Sequence, residues 1–319
     1  MSAGVQSSPI QFVPTESQLA MAYSVCRGIA RTSAKNFYYA FLVLPRRKRE
    51  ALCAVYAFMR RCDDLSDDAT LPTWERRAKL EAWLDALHHA QAGEPTDDPI
   101  FLALTDAQRR YHIPGELLDQ LAFGTLMDVP DESADVYQQQ AAQSGTLEPV
   151  VQYRSFKDLY LYCYHVASVV GLVCIKIFGY RDQAAERLAE RCGVAFQLTN
   201  IIRDVKEDAE MGRVYIPLED LYKHELVPGD LTGTPDSTRM RALLAMEAER
   251  AREFYQSGHD LIPLVSEDSQ PALWVLLTIY QRLLEKIALR RYEVFAERVS
   301  LTRREKFVIL GKGFLKRLV

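Results

Sequence analysis

Residues 193–208 read as a helix with apolar side chains on nearly every side, and that alone restricts what the chain can fold into. Val194, Ala195, Phe196, Leu198, Ile201 and Ile202 cover most of the helical wheel, while Gly193, Gln197, Asn200, Asp204 and Asp208 fall in one narrow sector. A helix apolar nearly all round is buried, so it needs other helices around it. Its polar stripe must then line an internal cavity or meet a hydrogen-bonding partner.

A second helical run carries the same device. Leu52, Val55, Tyr56 and Met59 follow the i, i+3, i+4, i+7 spacing of one face, and Asp63 extends that face by a further turn. Each cluster, Asp63 to Asp68 and Asp204 to Asp208, sets two carboxylates four residues apart: Asp63 with Asp67, and Asp204 with Asp208. Stacked like charges at that spacing weaken a helix by roughly 0.2–0.5 kcal/mol per pair, and more where water is excluded. A cation is needed to offset that repulsion. Oxygen donors without His or Cys suit a hard ion, and Mg²⁺ takes one or two carboxylates together with waters and phosphate oxygens. Two such faces opposed across a cavity would hold a magnesium–diphosphate cluster. The alternative is two solvated acidic helix ends; the apolar faces that both clusters continue argue against it.

The chain has 319 residues, 48% of them apolar, enough for a substantial core. Its formal charge of −4 offers no basic face for a nucleic acid. Six cysteines, Cys26, Cys53, Cys62, Cys163, Cys174 and Cys192, follow neither a CxxC nor a metal-ligand spacing, and read as small core residues in a reducing compartment. Residues 1–15 are polar and contain proline, without the apolar stretch of a signal peptide, so a cytoplasmic location is expected. Leu159 to Ile175 is apolar but at the lower limit of spanning length, and it includes His165, with Lys176 directly after it; it reads as a core helix.

Helical patterns cover 16–31, 35–43, 46–68, 73–91, 98–111, 115–127, 133–145, 155–178, 182–209, 236–263, 270–297 and 302–317. Breaks fall at Pro45, Gly93 to Pro95, Pro114 with Gly115, and Val227 to Pro235. The expectation is a disordered stretch over 1–15, then one all-α bundle around a central cavity over 16–319. After the second cluster, Gly212 and Pro217 break the helix and place Arg213 and Tyr215 on a loop at the mouth of the acidic cavity. Cations there suit a leaving phosphate.

Taken together, these residues resemble the squalene/phytoene synthase family, the head-to-head branch of the isoprenoid synthases. The resemblance runs through Ala34-Lys35-Asn36-Phe37-Tyr38, Tyr56 to Asp64, Tyr162 to Ala167 and Val170-Gly171. It is strongest at Gln197 to Asp208 and Gly212 to Pro217. It implies an isoprenoid-synthase-type all-α bundle and a two-step, Mg²⁺-dependent condensation of two farnesyl (C15) or geranylgeranyl (C20) diphosphates through a cyclopropylcarbinyl diphosphate. Squalene-type members then reduce the final cation with NADPH, and phytoene-type members lose a proton. No GxGxxG follows a strand here, so the sequence gives no sign of a dinucleotide site.

By resemblance, Asp63, Asp67, Asn200, Asp204 and Asp208 would bind two or three Mg²⁺ ions. Asp63, Asp67, Asp204, Asp208, Tyr162 and Arg203 would carry the catalysis. Lys35, Asn36, Phe41, Tyr56, Arg60, Gln197, Arg213 and Tyr215 would bind substrate, the arginines forking onto phosphate oxygens and the rings steadying a carbocation by ~0.5–2 kcal/mol each. Ala34 and Asn36 depart from the small hydroxyl residues that many relatives carry beside the lysine. Two other readings are a family member that has lost catalysis and acts as an assembly factor, and a head-to-tail chain-elongating prenyltransferase. All four cluster aspartates are present, which speaks against the first, and the context of the clusters speaks against the second.

The C-terminal segment adds an expected partner. Arg303, Arg304, Lys306, Lys312, Lys316 and Arg317 flank Phe307, Leu310, Phe314 and Leu318 at helical spacing. This is a basic amphipathic helix, suited either to an anionic membrane surface or to packing on its own domain with a solvated basic face.

Overall fold

A computed structural model of the chain describes residues 12–68, 70–129, 150–232 and 238–318. The expected helix at 133–145 lies outside them. The described residues form thirteen α-helices, of which the first twelve are α1 (Glu16–Ser33), α2 (Lys35–Val43), α3 (Arg46–Ser66), α4 (Thr73–Gln91), α5 (Pro99–Tyr111), α6 (Gly115–Leu126), α7 (Phe156–Cys163), α8 (Val169–Phe178), α9 (Ala184–Glu210), α10 (Leu218–Lys223), α11 (Thr238–Leu261) and α12 (Gln270–Leu289). A last helix, α13 (Arg303–Leu318), closes the chain. Two-residue strands β1 (Val150–Val151) and β2 (Arg213–Val214) pair in parallel.

Local chemistry explains the ends. Thr15 and Gln18 form a capping box that starts α1, and Ser155 with Asp158 does the same for α7. Asp98 caps α5 ahead of Pro99 at its first position. Ahead of α1, Phe12 donates its N–H to Gly93 O at 2.8 Å and packs on the core.

The helix expected over 155–178 is continuous but carries a π-helical turn, Tyr164–Ser168, between α7 and α8. Close backbone contact explains where it sits. A Cβ on Gly193 of α9 would lie 2.6 Å from Ser168 Cα, and one on Gly124 of α6 would lie 2.8 Å from His165 O. The apolar run is long enough to cross a bilayer by composition, yet it packs against α6 and α9 inside the bundle.

Helix α12 stops at Leu289 and does not reach residue 297. Arg291 and Tyr292 take positive φ of 54° and 60°, which an α-helix cannot continue through. The following chain folds back with Val294, Phe295, Val299 and Leu301 buried. α10 and two short 3₁₀ turns are further elements without a periodicity long enough to be read from sequence.

α9 runs through the bundle, packed along α11, α8 and α12. Beside it lies a cavity of about 180 Å³ walled by α2, α3, α8, α9 and α12. A separate buried ionic cluster ties α10 to α11: Arg250 donates to Asp220 at 2.8 Å and to Glu247 at 2.9 Å, with its guanidinium 4.1 Å from the Phe156 ring centroid. Burial and the neighbouring Asp220 raise the Glu247 carboxyl to about 7 despite Arg250.

Two substitutions test this packing by thermal unfolding. Gly193→Ala must push the π turn away and should cost about 1–3 kcal/mol, while Arg250→Met leaves two buried acids without their cation and should cost about 3–5 kcal/mol. Unchanged melting temperatures in both would contradict the packing described.

Candidate active site

The cavity is apolar in depth and acidic at its mouth, because α3 and α9 each change from apolar to carboxylate near one end. Tyr56 and Met59 line it from α3, with Asp63 one turn beyond; Gln197 and Asn200 line it from α9, with Asp204 and Asp208 beyond. From Asp204 to Ala189 the wall of α9 rises about 22 Å at ~1.5 Å per residue.

The two acidic ends share neighbours. Burial lifts Asp63 to about 7, with Asp67, Asp64 and Asp128 adding to the rise and Arg60 opposing it. Burial likewise lifts Asp208 to about 7, with Asp204, Asp128 and Glu207 adding and Arg213 opposing. Asp128 acts on both, and Arg213 is held in its charged state by Asp128 and Asp67 as well as by Tyr215. The carboxylates of α3 and α9 therefore face one common space.

Within that space the aspartates differ. Asp204 is fully engaged: Arg203 forks onto it, with Nε at 2.7 Å from Oδ1, and Arg298 forks onto it with both contacts at 2.9 Å. Asp63, Asp67 and Asp208 form no ion pair among the described residues. Asp67 is exposed at the C-cap of α3. Arg60, expected to reach toward the same face as Asp63, is exposed and ion-paired with Asp64.

Asn200 donates Nδ2 to Gln197 Oε1 at 3.3 Å, but its Oδ1 is buried with no hydrogen-bond partner. An orphaned acceptor of that kind costs about 1–3 kcal/mol unless a cation or donor meets it. Phe41 lines the cavity from α2, beside Phe37, whose ring lies 5.9 Å from Tyr280. Lys35 and Asn36 form the first turn of α2.

Tyr162 and Tyr215 stack at 5.0 Å between centroids, and Tyr153 joins them at 5.3 and 6.4 Å. Both Tyr162, at 3.1 Å, and Tyr215, at 2.8 Å, donate their hydroxyls to Asp128 Oδ1. Burial raises the Asp128 carboxyl, against the lowering effect of those two phenols and Arg213. The expected loop bearing Arg213 and Tyr215 is partly a strand: β2 pairs with β1, and Leu218 and Glu219 donate their N–H groups to Tyr153 O and Arg154 O. The lacing fixes Tyr153 and Tyr215 together against α7.

Four site residues escaped the sequence reading. Asp128 falls just past the expected helix end at 127, two residues ahead of Pro130, where no apolar helical stripe points to it. Tyr153 lies on a stretch with no periodicity, and Tyr280 sits on an apolar face where it reads as core. Arg298 lay just past an expected helix end; its approach to Asp204 follows from the turn at Arg291 and Tyr292, with Lys206 Nζ on Phe295 O at 2.9 Å holding the returning chain.

The donor set fits a hard divalent cation. Its free atoms are oxygens, two of its carboxylates are raised by burial and by other carboxylates beside them, and Asn200 Oδ1 lacks a partner. Among the described residues no three His, Cys, Asp or Glu side chains converge to cage an ion unaided.

Comparison with known proteins gives this geometry a family. The squalene/phytoene synthase family model matches residues 30–305. The chain is 34% identical over 288 residues to a phytoene synthase of Mycobacterium tuberculosis, covering 89% of this chain and 88% of the relative. It is 32% identical over 337 residues to the 15-cis-phytoene synthase of Synechococcus elongatus, covering 97% and 99%. Among solved structures it resembles a dehydrosqualene synthase in complex with ligand (TM-score 0.79, 29% identity, 93% and 96% covered). It also resembles a squalene synthase from Alicyclobacillus acidocaldarius (TM-score 0.73, 28% identity, 88% and 97% covered). The chain belongs to the squalene/phytoene synthase family, prenyltransferases that join prenyl diphosphates head to head.

Proposed function

We propose that the protein joins two geranylgeranyl diphosphates and ends the reaction by proton loss, as a phytoene-type synthase. The observation that carries the Mg²⁺–diphosphate chemistry is the pair of raised carboxylates, Asp63 and Asp208, which share Asp128 as a neighbour above an apolar cavity. The C20 substrate is supported by the names of the relatives and by the small residues deep in the cavity, Gly171, Cys174, Ala189 and Cys192, which leave room for a long tail.

Asp63, Asp67, Asn200 and Asp208 would hold Mg²⁺, with Asp204 joining once its guanidinium partners turn to phosphate. The bound ions would act as Lewis acids on diphosphate oxygens as the C–O bond breaks. Arg203, Arg213 and Arg298 supply the forks that match phosphate oxygens in pairs. By the family resemblance Lys35 and Asn36 would bind the same anion; both belong to the first turn of α2, whose helix dipole favours it.

The released carbocation passes into a cavity without strong nucleophiles. Cys174 and Cys192 line it, but burial pushes both thiols up to about 12, so they remain protonated. Phe37, Phe41, Phe196 and Tyr280 offer aromatic faces, each worth ~0.5–2 kcal/mol to a desolvated cation. Closing the cyclopropane ring expels one proton from the carbon that lost its diphosphate. Tyr162 takes it as it hands its own to Asp128, whose raised carboxyl suits an acceptor. Six free cysteines suit a reducing, cytoplasmic setting.

Purified protein incubated with Mg²⁺ and farnesyl or geranylgeranyl diphosphate, with and without NADPH, is analysed by mass spectrometry. A C40 hydrocarbon from the C20 substrate without NADPH is expected; product from the C15 substrate alone, or only with reductant, would overturn the reading. Asp63→Asn and Asp208→Asn should each lower turnover by about two orders of magnitude or more, with unchanged circular dichroism.

The pH dependence follows from the raised carboxyls. Mg²⁺ binds the ionised form, so its affinity should climb as pH rises through about 7 and level off above that. Titration calorimetry with Mg²⁺ between pH 5.5 and roughly 8.5 checks this. A flat profile would place the ion elsewhere.

A further inference from the structure

Helix α13 divides its apolar residues between two faces. Ile309 and Leu310 are buried, and a Cβ on Gly313 would lie 2.3 Å from Val275 Cγ2, so this face packs tightly on α12 and α2. On the other side Phe307 is 60% exposed, Val308 53%, Phe314 41% and Leu315 64%. That second strip has no reason to be apolar in a helix that merely closes a bundle. Arg304 lies within it, and Arg303 and Lys312 edge it; none of the three forms an ion pair among the described residues. The one acid of the helix, Glu305, is turned away onto Lys286 at 3.0 Å and onto the Thr302 N–H at 2.7 Å. Beside the strip, shallow grooves reach Trp274, whose ring lies under Lys316 at 5.0 Å.

We propose that this outer face of α13 rests on an anionic lipid surface, with Phe307, Val308, Phe314 and Leu315 entering the headgroup boundary and Arg303, Arg304 and Lys312 meeting lipid phosphates. An apolar strip with a purely cationic border is the complement of such a surface. The position agrees with the layout of the cavity. α2 and α12 carry α13 on their outer sides, while their inner sides supply Phe37, Phe41, Leu273, Leu276 and Tyr280 to the cavity wall. A bilayer under α13 therefore lies one helical layer from the cavity. The charge and exposure stand whatever diphosphate the site accepts, so failure of the C20 assignment leaves this proposal intact.

The test is flotation of the full chain with vesicles of phosphatidylcholine alone, or of phosphatidylcholine and phosphatidylglycerol in equal parts, at low and high salt. The protein should float with the anionic vesicles at low salt and stay at the bottom with the neutral ones. The double variants Phe314→Ser with Leu315→Ser and Arg304→Glu with Lys312→Glu should each weaken binding about tenfold or more. Their turnover in detergent should equal that of the parent. Absent flotation, equal flotation of parent and variants, or equal binding to neutral vesicles would overturn the proposal. So would a concentration-dependent dimer, seen by sedimentation and abolished by the same variants, because a second copy would then cover the face.

Discussion

Like charges held near one another and away from water are the constraint on which this structure turns. Asp63 and Asp208, on different helices, both sit where burial and neighbouring carboxylates favour the protonated form. Asp128 belongs to both neighbourhoods. A fold gains nothing in stability from such an arrangement, and each unit of raised pKa is about 1.4 kcal/mol against the ionised form. In the proposed reaction that cost would be recovered as cations and a diphosphate enter. The bundle supplies rigidity, and the site holds the repulsion.

Asp204 shows the opposite treatment. Two arginines neutralise it, one from its own helix and one from the chain that returns after α12. In the proposed reaction these guanidiniums would leave that pairing as a diphosphate competes for them. The tyrosines follow a similar economy. Asp128 fixes Tyr162 and Tyr215 through their hydroxyls, and β1 with β2 fixes the backbone that carries Tyr153 and Tyr215.

The parts legible in the sequence were those written in helical period. The apolar stripe of α3 ending in Asp63, and the polar sector of α9 from Gly193 to Asp208 that includes Asn200, marked two of the helices that wall the cavity. The unread parts depend on long-range or non-periodic geometry. Arg298 reaches Asp204 only because Arg291 and Tyr292 adopt left-handed backbone, which their side chains do not announce. Asp128 needs two phenols from separate segments, and the π turn at Tyr164–Ser168 answers to backbone approach at Gly193 and Gly124. For α13 the sequence offered lipid contact or self-packing as alternatives, and the helix presents an apolar strip on each side.

The central claim is that α3 and α9 grip one and the same diphosphate through divalent ions. A double-mutant cycle of Asp63→Asn and Asp208→Asn, read as the affinity for a non-ionising thiodiphosphate analogue with and without Mg²⁺, tests it most directly. Shared grip predicts that either substitution alone removes nearly all the Mg²⁺-dependent affinity, so that the double variant loses little more. Losses that simply add, or an affinity indifferent to Mg²⁺, would mean that the two acidic helix ends do not act on a common ligand.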